Sequence, residues 1–258
     1  MKPDLPLARR DLIADRLASG QAVVANDLAI EFDVSEDAIR RDLRALAAEG
    51  KCRRVYGGAL PLSPADRPMA ARIGEARKQK AALGQLAAST IAAHELVFLD
   101  SGSTNLSMVD FLPEDFDLTV ATNSIDIAAA VLRRPDLKLI MVGGSVDPVV
   151  GGSIDATAIS AVSDMSINRC FLGACSVSNK GSAYALNPSD AAFKRVLLAA
   201  SQHTTVLATT DKFVATAPHR VASVDAIDCF VVDSDLPSTT CRTLARTGTK
   251  VLKAKRLT

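Results

Sequence analysis

The first part of the chain alternates apolar and polar positions with the period of an amphipathic helix. Residues 9–18 place Ile13 and Leu17 on one face and precede Gly20, which predicts a first helix with a glycine stop. A second helix is expected to begin at Asn26, where polar residues favour a helix start. Its apolar face is predicted at Leu28, Ala29 and Phe32.

The third helix has the clearest pattern. Ser35 is suited to cap its N-terminus, and Val34 and Ile39 have the spacing of a hydrophobic staple. Gly50 is expected to end it. The buried stripe is predicted at Ile39, Leu43 and Leu46, and the opposite face carries Arg40, Arg41 and Arg44.

A short basic hairpin is predicted after the third helix. Residues 51–59 combine three basic side chains with Gly57-Gly58, which suits a tight turn between two strands. Helices of this arrangement followed by such a wing fit duplex DNA, because a helix enters the major groove and arginines donate to guanine edges or phosphates. The alternative explanation for the arginines is an ordinary solvated helix face.

Prolines separate this part from the rest of the chain. Pro61, Pro64 and Pro68 disfavour helix and favour an extended connector. We therefore expect a DNA-binding domain over residues 1–60, a linker over 61–77 and a second domain over 78–258.

The second domain alternates short apolar runs with alanine-rich helical stretches. Continuous apolar runs are typical of strands that are buried on both faces, as in a parallel sheet covered by helices. The predicted fold class is therefore α/β, with a mostly parallel sheet. Strands are predicted at residues 96–100, 118–121, 137–142, 170–174, 206–209, 230–233 and 250–252.

Polar residues follow several of these strands. Asp100-Ser101-Gly102-Ser103-Thr104 comes after the first strand and opens a helix, so its N–H groups and hydroxyls suit an anion. Ligands bind at the carboxyl ends of parallel strands. The other candidates there are Thr122, Asn123, Ser124, Gly143, Gly144, Gly151, Gly152, Asp211 and Lys212, with residues 151–153 expected to open a helix.

Alternatives remain at these positions. A single Gly-Ser-Thr turn is equally typical of an ordinary helix cap. Lys194 lies off the apolar face of the helix predicted over residues 190–200, so it either reaches the pocket or is solvated. Asp100 and Asp211 would form a carboxylate pair for proton transfer if the domain were an isomerase or deaminase. Residues 100–104 lack the G-x-G-x-x-G spacing, which excludes a Rossmann dehydrogenase.

Composition narrows the function classes further. The net charge of +1 excludes a polycationic coat for nucleic acid, and 4% aromatic residues without tryptophan disfavour single-strand binding by stacking. Five cysteines without a C-x-x-C pair and three scattered histidines suggest neither a metal site nor a nucleophile. With no secretory signal and no apolar run of membrane-spanning length, we expect a cytoplasmic protein without a membrane, metal or cofactor.

Several motifs resemble those of DeoR-type bacterial transcriptional regulators. They are residues 34–43, 49–50 and 54–59 in the first domain and residues 100–104, 122–124, 143–144, 171–174 and 211–213 in the second. The resemblance implies a winged helix-turn-helix joined to a sensor domain with the fold of sugar-phosphate isomerases and deaminases. Most such proteins are repressors that a phosphorylated sugar releases from their operator.

The resemblance also assigns residues. It implies that operator DNA is contacted by Ser35, Glu36, Asp37, Arg40, Arg41, Arg44, Arg53, Arg54, Tyr56 and Gly57. A phosphorylated sugar would bind at the strand-end residues named above and at Lys194, with Gly102, Ser103 and Thr104 holding the phosphate. A homo-oligomer that contacts two operator half-sites is expected, either a dimer or a tetramer.

Overall fold

The computed structural model describes residues 6–18, 21–61, 67–246 and 248–255. The chain divides into two compact units, Met1–Arg67 and Pro68–Thr258. Much of the expected linker belongs to the second unit, because Met69–Ile73 forms a helix, α4, whose Met69 is buried. Residues 62–66 of that linker lie outside the described ranges.

The first unit consists of three helices and a small antiparallel sheet. The helices are α1 (Pro6–Ala18), α2 (Ala25–Phe32) and α3 (Glu36–Ala48). The strands are β1 (Val23–Val24), β2 (Cys52–Val55) and β3 (Gly58–Pro61), in the order β1-β3-β2. This arrangement confirms the predicted winged helix-turn-helix.

Local chemistry defines the ends of α3. Asp33 takes a left-handed conformation with φ 55° between α2 and α3, and the Ser35 hydroxyl accepts a hydrogen bond from the Ala38 N–H. At the other end Gly50 has φ +68°, a conformation that favours glycine. The turn, the cap and the stop are therefore all confirmed.

The core of the first unit comes from the predicted apolar stripes. Ile13, Ile39, Leu43 and Leu46 are at most 2% exposed. Phe32, which the pattern assigns to the same core, is only half-buried, and its ring lies under the guanidinium of Arg16. Packing of these stripes determines which face of α3 remains outside.

The second unit is built on one seven-stranded parallel sheet, as predicted. Two strands begin earlier than their apolar runs suggest, because polar residues that are not fully buried lie within their first three positions: Asn168 and Arg169 in one, and Ser201, Gln202 and His203 in the other. The strands are β4 (Leu96–Leu99), β5 (Thr119–Thr122), β6 (Lys138–Met141), β9 (Ile167–Leu172), β12 (Ser201–Ala208), β14 (Cys229–Val232) and β15 (Lys250–Lys253).

Helices cover both faces of this sheet. They are α5 (Arg77–Ala88), α6 (Ser103–Leu106), α7 (Ile125–Val131), α8 (Ala156–Ser163), α9 (Pro188–Ala199) and α10 (Ser238–Ala245). Phe98 packs into one core with α8 and α9, while its neighbours Val97 and Leu99 pack into a second core with α5 and α7. This alternation is what a strand buried on both faces requires.

One local prediction is wrong. Gly151 and Gly152 do not open a helix, because Gly152–Ser153 forms a strand, β8, that pairs with β7 (Val146–Asp147). Helix α8 begins later, where the Asp155 carboxylate accepts a hydrogen bond from the Ala158 N–H at 3.1 Å.

A small second sheet was not predicted. It contains β10 (Ser176–Val177), β11 (Ala183–Ala185) and β13 (His219–Ala222), in that order and antiparallel. These strands have only two to four residues, so they lack the long apolar runs that identify a strand in sequence.

The strand order creates one position for a ligand. Within β15-β14-β12-β9-β4-β5-β6, strand β4 comes first along the chain and lies between β5 and β9. From β4 the chain continues to β5 and β6 on one side, and the strands that come after β6 lie on the other side of β4. Ligands bind where the strand order reverses in this way, so a crevice is expected at the carboxyl ends of β4 and β9. The sequence motif at residues 100–104 lies at this crevice.

The isoleucines of the first unit provide a matched test of its core. Ile39 is fully buried, whereas Ile30 on α2 is 74% exposed. We expect Ile39→Ala to destabilise the unit by about 2–5 kcal/mol and Ile30→Ala by less than about 0.5 kcal/mol. Urea unfolding with hydrogen exchange of the α3 amides measures both, and equal losses would contradict the assigned packing.

Candidate functional site

The outer face of α3 is exposed as the sequence predicts. Arg40, Arg41 and Arg44 are accessible to solvent, and the buried stripe lies on the other side of the helix. The Arg44 side chain forms no hydrogen bond or ion pair with any residue in the described ranges. Its guanidinium is therefore available to an anion outside the chain.

The first turn of α3 holds the other two arginines. Arg40 lies 2.8 Å from a Glu36 carboxylate oxygen and 3.6 Å from that of Asp37. Arg41 donates from Nε to the Asp37 carbonyl at 3.3 Å. The Ser35 hydroxyl is engaged in capping, so five of the predicted DNA-contacting residues have structural partners within the unit: Ser35, Glu36, Asp37, Arg40 and Arg41.

The wing projects a tyrosine. Tyr56 and Gly57 form the two-residue turn between β2 and β3, with Tyr56 fully exposed and Gly57 at φ +81°. On β2, Arg54 is exposed and Arg53 is half-buried. The wing thus places the Tyr56 phenol and the Arg54 guanidinium at the outer edge of the unit.

Sequence reasoning missed an ion pair that fixes α3. Asp42 on α3 is buried, and its carboxylate accepts a hydrogen bond from Arg9 Nε on α1 at 2.7 Å. The residues are 33 positions apart, so no sequence spacing indicates the pair. It joins the first helix to the helix that carries the exposed arginines.

In the second unit, residues 100–104 form the floor of the crevice. Four of them, Asp100, Ser101, Ser103 and Thr104, are less than 10% exposed. Asn105 donates from Nδ2 to the carbonyls of Asp100 and Phe171, both at 2.8 Å. This amide, which sequence reasoning missed, ties the ends of β4 and β9 together.

The end of β5 is joined to the same floor. Asn123 accepts from the Ser101 N–H at 3.0 Å and donates to the Ser153 carbonyl at 3.1 Å. Thr122 donates to the Leu99 carbonyl. These two predicted ligand residues therefore position neighbouring loops through bonds that the protein already makes.

Three buried polar atoms at the crevice have no hydrogen-bond partner among the residues that the structure describes. They are Asp100 Oδ1, Ser101 Oγ and Ser124 Oγ. Since an unpartnered buried polar group costs about 1–3 kcal/mol, their clustering at adjacent strand ends favours a bound polar ligand.

The predicted glycines have different roles. A Cβ on Gly152 would lie 3.0 Å from Ser101 Cβ, so the absence of a side chain at residue 152 lets the two loops approach closely. Gly151 instead packs against Met69, and Gly144 approaches the Asp155 carboxylate. Gly143 is exposed with open space around it. Only Gly152 of the four is brought against the residues 100–104.

Lys194 reaches the crevice rather than solvent. It is 3% exposed, and its Nζ lies 2.5 and 2.6 Å from the Asp190 carboxylate oxygens and 3.5 Å from Asp100 Oδ2. Burial alone would lower the pKa of Lys194, but the two carboxylates outweigh it and raise that pKa. Lys194 is therefore a permanent cation.

The surroundings of Asp100, in contrast to those of Lys194, shift its pKa toward the uncharged form. Burial raises the pKa of Asp100 to about 6, although Lys194 and the Gly173 N–H, at 2.8 Å, favour the ionised form. Gly173 lies in the motif at residues 171–174, but the sequence assigned it no role of its own. A Cβ there would lie 2.8 Å from the Ser101 carbonyl oxygen, so this close approach requires glycine. Asp211 is exposed and is not the partner of Asp100; Asp190 is the nearby carboxylate.

Two more cations face the same space. Arg72 on α4 is half-buried and donates to the Val149 carbonyl at 3.2 Å, and burial lowers its pKa. Lys212, in the 3-10 turn Thr210–Phe213 after β12, is also half-buried. Both act electrostatically on the Cys175 thiol, which follows β9. The crevice thus gathers three cations, of which Arg72 was not predicted.

No cluster of three or more metal-ligating side chains occurs within the described ranges. Of the helices that the structure describes, none is both long and apolar enough to cross a membrane.

Comparison with known proteins agrees with this architecture. Residues 9–64 match the DeoR-like helix-turn-helix domain, and residues 75–234 match the DeoR C-terminal sensor domain. Over 97% of this chain and 99% of the relative, the sequence is 29% identical to the transcriptional regulator YgbI of Escherichia coli K12. It is 26% identical to the glycerol-3-phosphate regulon repressor of the same strain, over 86% of this chain and 88% of that one.

Among solved structures, the probable sor operon regulator of Shigella flexneri aligns with a TM-score of 0.43 and 10% identity, over 66% of this chain and 89% of that chain. The family assignment rests on the two domain matches, which cover most of both units. The chain belongs to the DeoR family of helix-turn-helix transcriptional regulators.

Proposed function

We propose that this regulator is a repressor of carbohydrate metabolism genes and that a phosphorylated sugar bound in the second unit controls its affinity for operator DNA. The observation that carries the proposal is the crevice at β4 and β9, where three cations and two unpartnered buried hydroxyls converge. A phosphate dianion with a polyol chain matches both groups. The 26% identical glycerol-3-phosphate regulon repressor supports the same ligand class.

The first unit supplies the DNA contacts. Helix α3 would enter the major groove with Arg40, Arg41 and Arg44 toward bases and phosphates, while Arg54 and Tyr56 of the wing lie along the backbone. Arg40 leaves its pairing with Glu36 on binding. Because that ion pair is half-exposed, breaking it costs less than about 1 kcal/mol.

Two copies of the chain are needed for a symmetric operator. A single winged module buries a modest surface on DNA, so high affinity requires two half-sites. We infer a dimer or a larger even assembly. A ligand that prefers one arrangement of its subunits changes operator affinity by the same coupling free energy, typically about 1–3 kcal/mol.

An isomerase or deaminase activity is the second candidate. It would need a proton-transfer pair, and Asp100 with Asp211 does not supply one because one is buried and the other exposed. Incubation with sugar phosphates, followed by NMR, tests for turnover directly. Steady product formation would favour the enzyme.

The arginines of α3 provide the first test. Replacing Arg40 and Arg41 with Ala should weaken operator binding and flatten the slope of log K against log[salt] by up to about 0.9 per lost phosphate contact. Gel shifts at several salt concentrations measure both effects. Arg133→Ala, an exposed arginine of the second unit, is the control and should leave both unchanged.

The unpartnered hydroxyls test the crevice. Ser101→Ala should leave stability unchanged yet weaken effector-driven DNA release about tenfold or more, because its hydroxyl donates only to the ligand. Ser201 is the contrasting control, since its hydroxyl donates to the Leu197 carbonyl at the other end of the sheet. Ser201→Ala should lose about 1 kcal/mol of stability and keep the response. The site would be rejected if, across a panel of sugar phosphates, Ser101→Ala kept the DNA-release response and Ser201→Ala lost it.

The buried Asp100 carboxylate predicts a pH dependence of stability. Its pKa is about 6 when folded and about 3.9 when unfolded, so ionisation costs folding free energy as pH rises from about 4 to 6. Asp100→Asn should therefore gain stability relative to wild type at pH 8, on the order of 1–3 kcal/mol, and gain little near pH 4. Denaturant melts at both pH values measure the difference, with the exposed Asp211→Asn as control. An equal gain at both pH values would contradict the assignment.

A further inference from the structure

The two lysines of the crevice have opposite surroundings. Lys194 is buried and paired with Asp190 and Asp100. Lys212 is half-buried, and its side-chain amine forms no hydrogen bond or ion pair with any residue of the described ranges. Its charged neighbours are the cations Arg72 and Lys194, the Cys175 thiol and the adjacent carboxylate of Asp211.

These surroundings make Lys212 an unusual amine. The pKa of Lys212 is lowered to about 8, chiefly by burial and to a smaller extent by Arg72 and Lys194, against the opposing effect of Cys175 and Asp211. At neutral pH such a group holds roughly two hundred times more free amine than a lysine with the ordinary pKa of about 10.4. Lysines that are desolvated or placed beside other cations are the ones that act as nucleophiles toward carbonyl groups.

We propose that Lys212 forms a reversible imine with the carbonyl carbon of an open-chain sugar phosphate in this crevice. The Nζ lone pair attacks the carbonyl carbon and forms a C–N bond. The carbonyl oxygen then leaves as water with both amine hydrogens, and no electrons are exchanged with an oxidant or reductant. Hydrolysis returns the free amine and the intact effector.

The division of charge favours this role over phosphate binding. Lys194 and Arg72 remain cationic at neutral pH and suit the phosphate, together with the N–H groups and hydroxyls of residues 101–104. An amine that loses its proton near pH 8 is the weakest phosphate anchor of the three and the strongest nucleophile. The inference rests on the proposed sugar-phosphate function and adds that the effector is recognised through a carbonyl group.

The experiment uses the full chain and reductive trapping. The protein is incubated with glyceraldehyde 3-phosphate, erythrose 4-phosphate or ribose 5-phosphate in the presence of sodium cyanoborohydride, and lysines are located by peptide mass mapping. We expect Lys212 to gain the mass of the aldehyde less one oxygen atom, at least about tenfold faster than any other lysine. Glycerol 3-phosphate, which lacks the carbonyl, should give no adduct.

Two variants serve as controls. Lys212→Arg keeps the charge but removes the nucleophilic amine, and it should give no adduct at this position while the melting temperature stays unchanged. Lys138→Arg removes an exposed lysine that pairs with Asp117 on the sheet edge, and Lys212 should still be labelled at the wild-type rate.

The outcomes separate the two levels of the proposal. Labelling spread evenly over exposed lysines, or no adduct at Lys212 with any of the three aldehydes, would overturn the imine. If a sugar phosphate still releases DNA in that case, the proposed function stands without it. If no sugar phosphate releases DNA, the proposed function itself fails, whatever the labelling shows.

Discussion

A buried ion cluster is the constraint on which the second unit depends. Lys194 on α9 is clamped between Asp190 of the same helix and Asp100 at the end of β4. Loss of the Lys194 charge would leave two carboxylates uncompensated in a region that water does not reach, which typically costs several kcal/mol. The cluster therefore fixes α9 against the sheet and, with Gly173, fixes the distance between the loops that follow β4 and β9.

The same cluster also affects the electrostatic field that an anion would meet in the crevice. Because two carboxylates partly compensate the Lys194 charge, the attraction of an incoming anion also depends on Arg72, which lies on a different helix. Occupation of the crevice would thus draw together elements that are otherwise held apart by like charge. A ligand proposed for this crevice would therefore be coupled to the position of α4, which carries Arg72.

Most of the fold follows from patterns that are visible in the sequence. The seven parallel strands and the stripe of Ile39, Leu43 and Leu46 depend on local periodicity, which one segment determines by itself. The missed features depend on pairs of distant residues. Arg9 finds Asp42 across 33 positions, and Arg72 reaches the crevice from a segment whose prolines suggested an extended linker. Gly151 was misassigned because a glycine pair before a helix and one within a hairpin look alike in sequence.

The placement of the two tyrosines has a practical consequence. The chain has no tryptophan, and its two tyrosines fall one in each unit: Tyr56 on the tip of the wing and Tyr184 on β11, whose carbonyl accepts from the Cys175 N–H. Intrinsic ultraviolet emission thus has one source on the wing of the first unit and one beside the crevice of the second. A Phe substitution at either position assigns each optical signal to its own unit, without an attached dye.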